Sequence, residues 1–125
     1  MSPDRLFHYC SERAATDILD AEPPYFLVGP GSAHGWGMYA TDIEPVDATS
    51  IDDVSTHCFA GQATAAELSH VLVLHPANAV DRFEQTSNPY EWMILRDAPA
   101  AIVELETLLI EACRFDGAAW ISILS

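Results

Sequence analysis

The hydrophobic positions of this chain fall in short runs separated by polar, proline-rich or glycine-rich segments. Five runs are apolar or aromatic, bounded by turn-forming residues, and typical of β-strands. They lie at residues 6–10, 36–40, 69–75, 90–95 and 118–124. The run at 69–75 gives the clearest strand signal because it holds four consecutive aliphatic residues and stops at Pro76.

Helical spacing follows the first strand, where Ser11 offers an N-cap and apolar residues recur every three to four positions up to Leu19. Pro23 and Pro24 should end this helix. Short helices are expected near 51–58 and 63–68. A longer amphipathic helix is predicted at 98–114, with its inward face formed by Ile102, Leu105, Leu108, Leu109 and Cys113.

The order of these elements predicts one α+β domain spanning residues 1–125, with a mixed or antiparallel sheet and flanking helices. Half of the 125 residues are hydrophobic, which is enough for a packed core. The segment 22–35 holds three prolines and three glycines and is predicted to be a loop. A loop of this length in a small domain is often functional.

Composition narrows the function classes. There are 19 acidic residues against 5 basic ones, all arginine, so the formal charge of −14 disfavours broad nucleic-acid binding. The acidity fits either a solvated surface or a surface that selects a basic protein partner. The three cysteines and five histidines show no metal-ligand spacing, so no metal site is predicted.

The cysteine pattern also gives no disulfide framework and indicates a reducing, cytoplasmic site of action. No apolar run approaches the roughly 20 residues of a membrane helix, and no secretory signal is recognised at the N-terminus. Delivery by secretion as part of a larger protein stays open, since a domain of such a protein would have the same composition.

Three residues suit glycosidic chemistry. Glu91 opens a strand after a turn, where a carboxylate can stabilise the positive charge of an oxocarbenium-like transition state. His8 lies within the first strand and can hydrogen-bond a ribose hydroxyl. Tyr39 follows Gly35 and Gly37, which allow close backbone approach, and its ring can stack on a cationic nicotinamide. Taken alone, Glu91 fits a surface position beside a strand better, and His8 fits a hydrogen-bonded position in the sheet better. A Rossmann fingerprint is excluded because no third glycine follows.

Together, the Phe7-His8-Tyr9 segment, the Gly35–Asp42 segment and the segment from Pro89 to Leu95 resemble the ADP-ribosyltransferase superfamily, in its His-Tyr-Glu branch. That branch includes poly(ADP-ribose) polymerases and diphtheria-like toxins. The resemblance is closest in Gly-x-Gly-x-Tyr, and the start of the chain is similar to that of small bacterial toxin members. It implies NAD as co-substrate and transfer of ADP-ribose to an acceptor, with protein favoured over nucleic acid. A neutralising antitoxin or immunity protein is a further implied partner.

The resemblance also implies roles for individual residues. His8 would bind the adenosine ribose, the Tyr9 backbone the nicotinamide amide, and Tyr39, with Gly37 beside it, the nicotinamide ring. Glu91 would hold the nicotinamide ribose and stabilise the oxocarbenium ion. Arg13 or Arg5 would meet the pyrophosphate, and the segment 22–35 would cover the donor as a lid.

The sequence departs in part from the family pattern. No second stacking aromatic occurs at 46–52, so Phe59 or Tyr25 is the candidate replacement. Asp97 is a second candidate for the catalytic acid, because some small toxin members end the trio with aspartate. The same trio fits an NAD glycohydrolase, in which water captures the ribose cation, and the fold alone fits a non-catalytic acidic interaction module.

Overall fold

The computed structural model describes residues 3–28, 36–79, 82–96 and 101–124. These ranges form an α+β fold, as predicted, with helices α1 (Glu12–Asp20) and α2 (Ala48–Cys58). The strands are β1 (Leu6–Cys10), β2 (Tyr25–Leu27), β3 (Trp36–Thr41), β4 (His70–Leu74), β5 (Glu84–Gln85), β6 (Glu91–Arg96), β7 (Ile102–Glu104), β8 (Leu109–Phe115) and β9 (Trp120–Ser122). Short 3-10 turns occupy Ala66–Leu68 and Pro76–Asn78.

Seven strands form one antiparallel sheet in the order β5-β6-β3-β1-β4-β8-β9, and β2 pairs with β7 in a separate two-stranded sheet. Strand β1 pairs with β4 along its whole length. Its pairing with β3 is limited to one position, Phe7 opposite Thr41. The sheet is therefore split beyond this pair, between the ends of β1 and β3 that carry His8 and Tyr39.

Apolar groups pack on both faces of the large sheet. One face carries Ile18 of α1 together with Leu6, Leu72 and Ile94. The opposite face carries Ile51 and Val54 of α2. A strand that is buried on both faces of a sheet is expected to consist of consecutive apolar residues. Strand β4 fits this expectation, since all of its residues are buried and four of them in succession are aliphatic.

The helices begin where polar side chains satisfy their first N–H groups. The Ser11 hydroxyl accepts from Ala14 N at 3.2 Å, as predicted for the start of α1. In α2 the Asp47 carboxylate accepts from Thr49 N at 2.9 Å, and the Ser50 hydroxyl accepts from Val46 N at 2.8 Å. This cap begins α2 at Ala48, three residues before the predicted start. Of the helices in the described ranges, none is long and apolar enough to cross a membrane.

The helix predicted at 98–114 is wrong over residues 101–114, and residues 98–100 lie outside the described residues. Residues 102–104 form β7, and 109–115 form β8, which pairs with β4 and β9. Leu105 and Leu108 are buried as expected, but in a turn where Leu109 N donates to Leu105 O at 2.8 Å. The apolar spacing fits both the helical and the strand period. Pairing with β4 and β9 satisfies the backbone of β8, whereas a helix here would leave the edge of β4 that faces away from β1 unpaired.

The loop predicted at 22–35 is partly a strand, since Tyr25–Leu27 pairs with β7. Val28 N adds a further hydrogen bond to Ala101 O at 2.9 Å. Pairing with a partner more than 70 residues away is not visible in local composition. The remainder of the predicted lid, residues 29–35, lies outside the described residues, as does Asp97.

Candidate functional site

The predicted trio of His8, Tyr39 and Glu91 lines one cavity of about 310 Å³. The volume is near the lower end of typical ligand pockets, which span about 300–1,000 Å³. Its other lining residues are Tyr9, Ala40, Thr41, Val54, Cys58 and Phe59. The pocket therefore combines residues of three adjacent strands with the end of α2.

Strand register explains how distant positions meet. Glu91 lies opposite Thr41, and Thr41 lies opposite Phe7, so one row crosses β6, β3 and β1. Because side chains alternate along a strand, Tyr39 and Tyr9 project to the same face as this row. That face is the one covered by α2, which supplies the opposite wall of the pocket.

His8 bridges the split between β1 and β3. Its Nδ1–H donates to the Tyr39 carbonyl oxygen at 2.6 Å. A carbonyl only accepts, so Nδ1 carries the proton and Nε2 of the neutral ring is an acceptor. Burial lowers the His8 pKa, and the bond to Tyr39 opposes this effect. The ring also meets Phe26 of β2 edge to face, with centroids 5.0 Å apart.

Glu91 is held by the turn that precedes it. The Thr86 hydroxyl lies 3.1 Å from Glu91 Oε1 as donor and 3.3 Å from the Asn88 carbonyl oxygen. The backbone closes the turn, with Thr86 N donating to Glu91 O at 2.9 Å. Glu91 thus enters the sheet at a position fixed by both side-chain and backbone hydrogen bonds.

The same turn is fastened to the end of α2. Asn88 Nδ2 donates to His57 O at 2.7 Å, and Asn88 Oδ1 accepts from Tyr90 N at 3.0 Å. The rings of His57 and Tyr90 stack with centroids 4.1 Å apart. These contacts keep the α2 wall of the pocket, including Cys58, close to the strand that carries Glu91.

Phe59 lines the pocket and Tyr25 does not, although both were candidates for the second aromatic. Phe59 follows α2 and is 46% exposed, so one part of its ring borders the pocket and another part faces solvent. Tyr25 lies on β2, 41% exposed and outside the pocket lining. Tyr39 and Phe59 therefore provide two aromatic side chains in the same cavity.

The electrostatic environment of the pocket is negative. The Tyr9 pKa is raised by burial first, and then by the neighbouring groups of Cys58, Glu44 and Asp53. Burial also raises the Cys58 pKa; a hydrogen bond with Thr41 opposes the shift, and the charges of Glu91 and Asp42 add to it. An apolar and aromatic cavity with this surrounding charge suits a cationic ring.

Neither predicted pyrophosphate partner lies at the pocket. Arg13 is exposed on α1 and Arg5 is exposed before β1, and neither lines the cavity. The Tyr9 hydroxyl donates to Ile43 O at 2.8 Å, so the Tyr9 side chain is hydrogen-bonded within the protein. The role implied for Tyr9, binding of the nicotinamide amide, involves its backbone and not this side chain.

Gly37 also lies outside the pocket lining, and its glycine identity is explained by β6. A Cβ at this position would overlap the Ile94 carbonyl oxygen and lie 2.9 Å from Met93 Cε. The close approach that this glycine permits is therefore to a neighbouring strand.

In the described ranges, no group of three His, Cys, Asp or Glu side chains is arranged to hold a metal ion.

Several residues of the site were not predicted from the sequence. Thr41 and Cys58 line the pocket, while Thr86 and Asn88 position Glu91. The Asn-Pro pair before β6 did indicate a turn, but nothing local shows that this turn contacts α2.

A scan of protein-family models and searches of curated proteins and of solved structures found no match.

Proposed function

We propose that this chain is an NAD-dependent mono-ADP-ribosyltransferase. The observation that supports this most is the meeting of His8, Tyr39 and Glu91, far apart in sequence, in one cavity. The three residue types are those that the resemblance requires. Their convergence is a stronger argument than the motifs, because three accidental matches have no reason to share a pocket.

The proposed chemistry begins with the cationic nicotinamide ring between the aromatic side chains of Tyr39 and Phe59. The C1′–N1 glycosidic bond breaks, and its electron pair leaves with neutral nicotinamide. The Glu91 carboxylate stabilises the developing ribose cation, and the hydrogen bond from Thr86 keeps that carboxylate oriented. A nucleophile of the acceptor then forms the new bond to C1′ and loses its proton.

His8 has a defined part in donor binding. Its Nδ1–H is committed to Tyr39 O, so the neutral ring offers Nε2 as an acceptor for a ribose hydroxyl. The Tyr9 backbone would hold the nicotinamide amide. By resemblance, the domain would act as a bacterial toxin or effector in the cytoplasm, with a neutralising protein as its partner.

Nicotinamide release from NAD by wild type and by Glu91→Gln tests the proposal. The amide can still receive the Thr86 hydrogen bond, so the variant removes the charge with little change of shape. We expect release to fall at least about 100-fold, as when one transition-state electrostatic contact is lost. Glu84→Gln is the matched control, since Glu84 is exposed on the neighbouring strand β5 and its variant should keep the wild-type rate.

Each outcome has a clear interpretation. Unchanged release in Glu91→Gln would remove Glu91 from the mechanism. Release by wild type without any modified acceptor in mass spectrometry would identify an NAD glycohydrolase. If wild type neither releases nicotinamide nor binds NAD, the enzyme proposal is overturned and an interaction module is favoured.

A further inference from the structure

A second cavity, of about 420 Å³, adjoins the proposed donor pocket. Tyr9 and Phe59 line both cavities and form the wall between them. The remaining lining residues of the second cavity are Gln62, Ala63, Glu67 and Leu68. A side chain that entered this space would approach the donor pocket past Phe59.

The turn that follows Phe59 is held by hydrogen bonds to α2. After Phe59 the chain turns through Ala60 and Gly61, which have positive φ values of 54° and 76°. Gly61 N donates to Ser55 O at 2.8 Å, and the Ser55 hydroxyl donates to Ala63 O at 2.9 Å. A non-glycine residue with positive φ is uncommon and is maintained by surrounding contacts. These bonds hold the backbone of residues 59–63 against Ser55 of α2.

Glu67 gives the second cavity a fixed negative charge. Its Oε1 accepts from Thr64 N at 2.9 Å, and its own N–H donates to Thr64 Oγ1 at 3.3 Å. Hydrogen bonds from the Thr64 backbone and side chain lower the Glu67 pKa, so the carboxylate is ionised at neutral pH. A carboxylate has about four acceptor sites, and these contacts leave room for a ligand.

The chemistry of this cavity suits a guanidinium group. Arginine side chains pair with carboxylates through a planar fork and stack on aromatic rings, whereas a lysine ammonium is a compact, strongly hydrated charge. Glu67 supplies the carboxylate, and Phe59 and Tyr9 supply aromatic walls. The net charge of −14 favours approach of a basic surface to the domain as a whole.

We propose that this second cavity is the acceptor subsite and that it selects an arginine side chain of the target protein. The inference rests on the proposed transferase function. In the transfer step, a guanidinium nitrogen bonds to ribose C1′ as the C1′–N1 bond breaks. Nicotinamide takes the bonding electrons, and the guanidinium group releases one proton to solvent.

The test uses two short peptides that differ only in one central residue, arginine or lysine, with wild type and Glu67→Gln. The glutamine retains an oxygen for Thr64 N, so the variant removes the charge and keeps the turn. We expect wild type to modify the arginine peptide at least tenfold more efficiently than the lysine peptide. In Glu67→Gln the KM for the arginine peptide should rise about tenfold, in line with loss of a charge-assisted hydrogen bond.

Peptide binding in the absence of NAD provides a readout independent of catalysis. Addition of the arginine peptide should shift the NMR signals of the Phe59 and Gln62 amides in wild type, and the shift should weaken in Glu67→Gln. Glu106→Gln is the charge-matched control, because Glu106 is exposed and lines neither cavity; it should match wild type.

The two proposals fail in different ways. Peptide binding at this cavity without nicotinamide release would overturn the transferase function and would leave an arginine-binding site that has no acceptor role. Nicotinamide release with equal use of both peptides, or with an unchanged KM in Glu67→Gln, would overturn the subsite alone. The KM comparison requires that Glu67→Gln is folded, which circular dichroism checks. If the variant does not fold, the selectivity of wild type between the arginine and lysine peptides decides whether the subsite proposal holds.

Discussion

His8 connects two strands at the level where their backbones no longer pair. The β1–β3 ladder stops at Phe7 opposite Thr41, and the next link is the bond from His8 Nδ1 to Tyr39 O. A side chain therefore closes the split of the sheet, and His8 is also one of the residues that line the pocket. One residue has both a structural and a proposed binding role, so its protonation state matters for stability as well as for function.

The lowered His8 pKa predicts a pH dependence of stability. The unfolded state binds the proton with an ordinary pKa of about 6.5, whereas burial makes the folded state bind it less readily. Stability from this group is therefore complete above about pH 6.5 and is lost as the pH falls towards the lower folded pKa. We expect the free energy of unfolding to decrease from pH 7.5 to pH 5.0, as measured by urea denaturation.

His8→Asn isolates this contribution, because asparagine can still donate near the Nδ1 position and does not titrate. Burial also lowers the His70 pKa, and carboxylates titrate in the same interval, so the comparison is between the two pH slopes. The variant should lose less stability on acidification than wild type. Equal slopes for the two proteins would contradict the buried, neutral state of His8.

At the scale of elements, the segment 102–115 shows how one apolar pattern can fit two structures. Leu105, Leu108 and Cys113 are inward-facing in the predicted helix and are buried in the observed turn and strand. The two interpretations differ at adjacent positions. A helix buries Ile102, whereas strand β7 leaves Ile102 47% exposed and buries Val103 to 2% exposure.

Paired substitutions at these positions distinguish the two structures. Val103→Thr retains the side-chain shape and places a hydroxyl in the core, so it should lower the free energy of unfolding by about 1–3 kcal/mol. Ile102→Thr at the exposed neighbour should cost less than about 1 kcal/mol. Chemical denaturation of both variants provides the measurement, and a larger loss for Ile102→Thr would contradict the β7 assignment.

At the scale of the whole molecule, the dominant property is the excess of acidic residues. With a net charge of −14 on 125 residues, the acidic side chains repel one another in the compact state. Salt screens this repulsion between charges that lie farther apart than the Debye length, which is about 10 Å at 0.1 M. The same field surrounds the pocket, where Glu44, Asp53 and Asp42 influence Tyr9 and Cys58. Acidity therefore costs stability and favours cationic ligands at once.

This balance predicts that salt stabilises the protein. Raising NaCl from 20 mM to 500 mM at pH 7 should increase Tm by about 3–5 °C, because screening weakens the self-repulsion of the folded state. Scanning calorimetry or thermal circular dichroism measures the shift. The matched control is the same pair of salt concentrations near the sequence pI of about 4.3, where the effect should shrink. A fall in Tm with salt at pH 7 would be inconsistent with net repulsion.

The sequence alone determined the local elements and the residue types of the site. Short apolar runs and the Ser11 cap specify β1, α1, β4 and β6 because strand alternation, capping and proline act over a few residues. The motifs likewise identified His8, Tyr39 and Glu91, since residue type indicates possible chemistry without a structure.

Tertiary structure decided what depends on pairing between distant segments. Strand neighbours made β2 from a predicted loop and β7 and β8 from a predicted helix. The β6-β3-β1 register brought the trio together, and contacts between α2 and the turn before Glu91 completed the pocket with Phe59 and Cys58. These outcomes follow from long-range hydrogen bonding and burial, which local sequence periodicity does not encode.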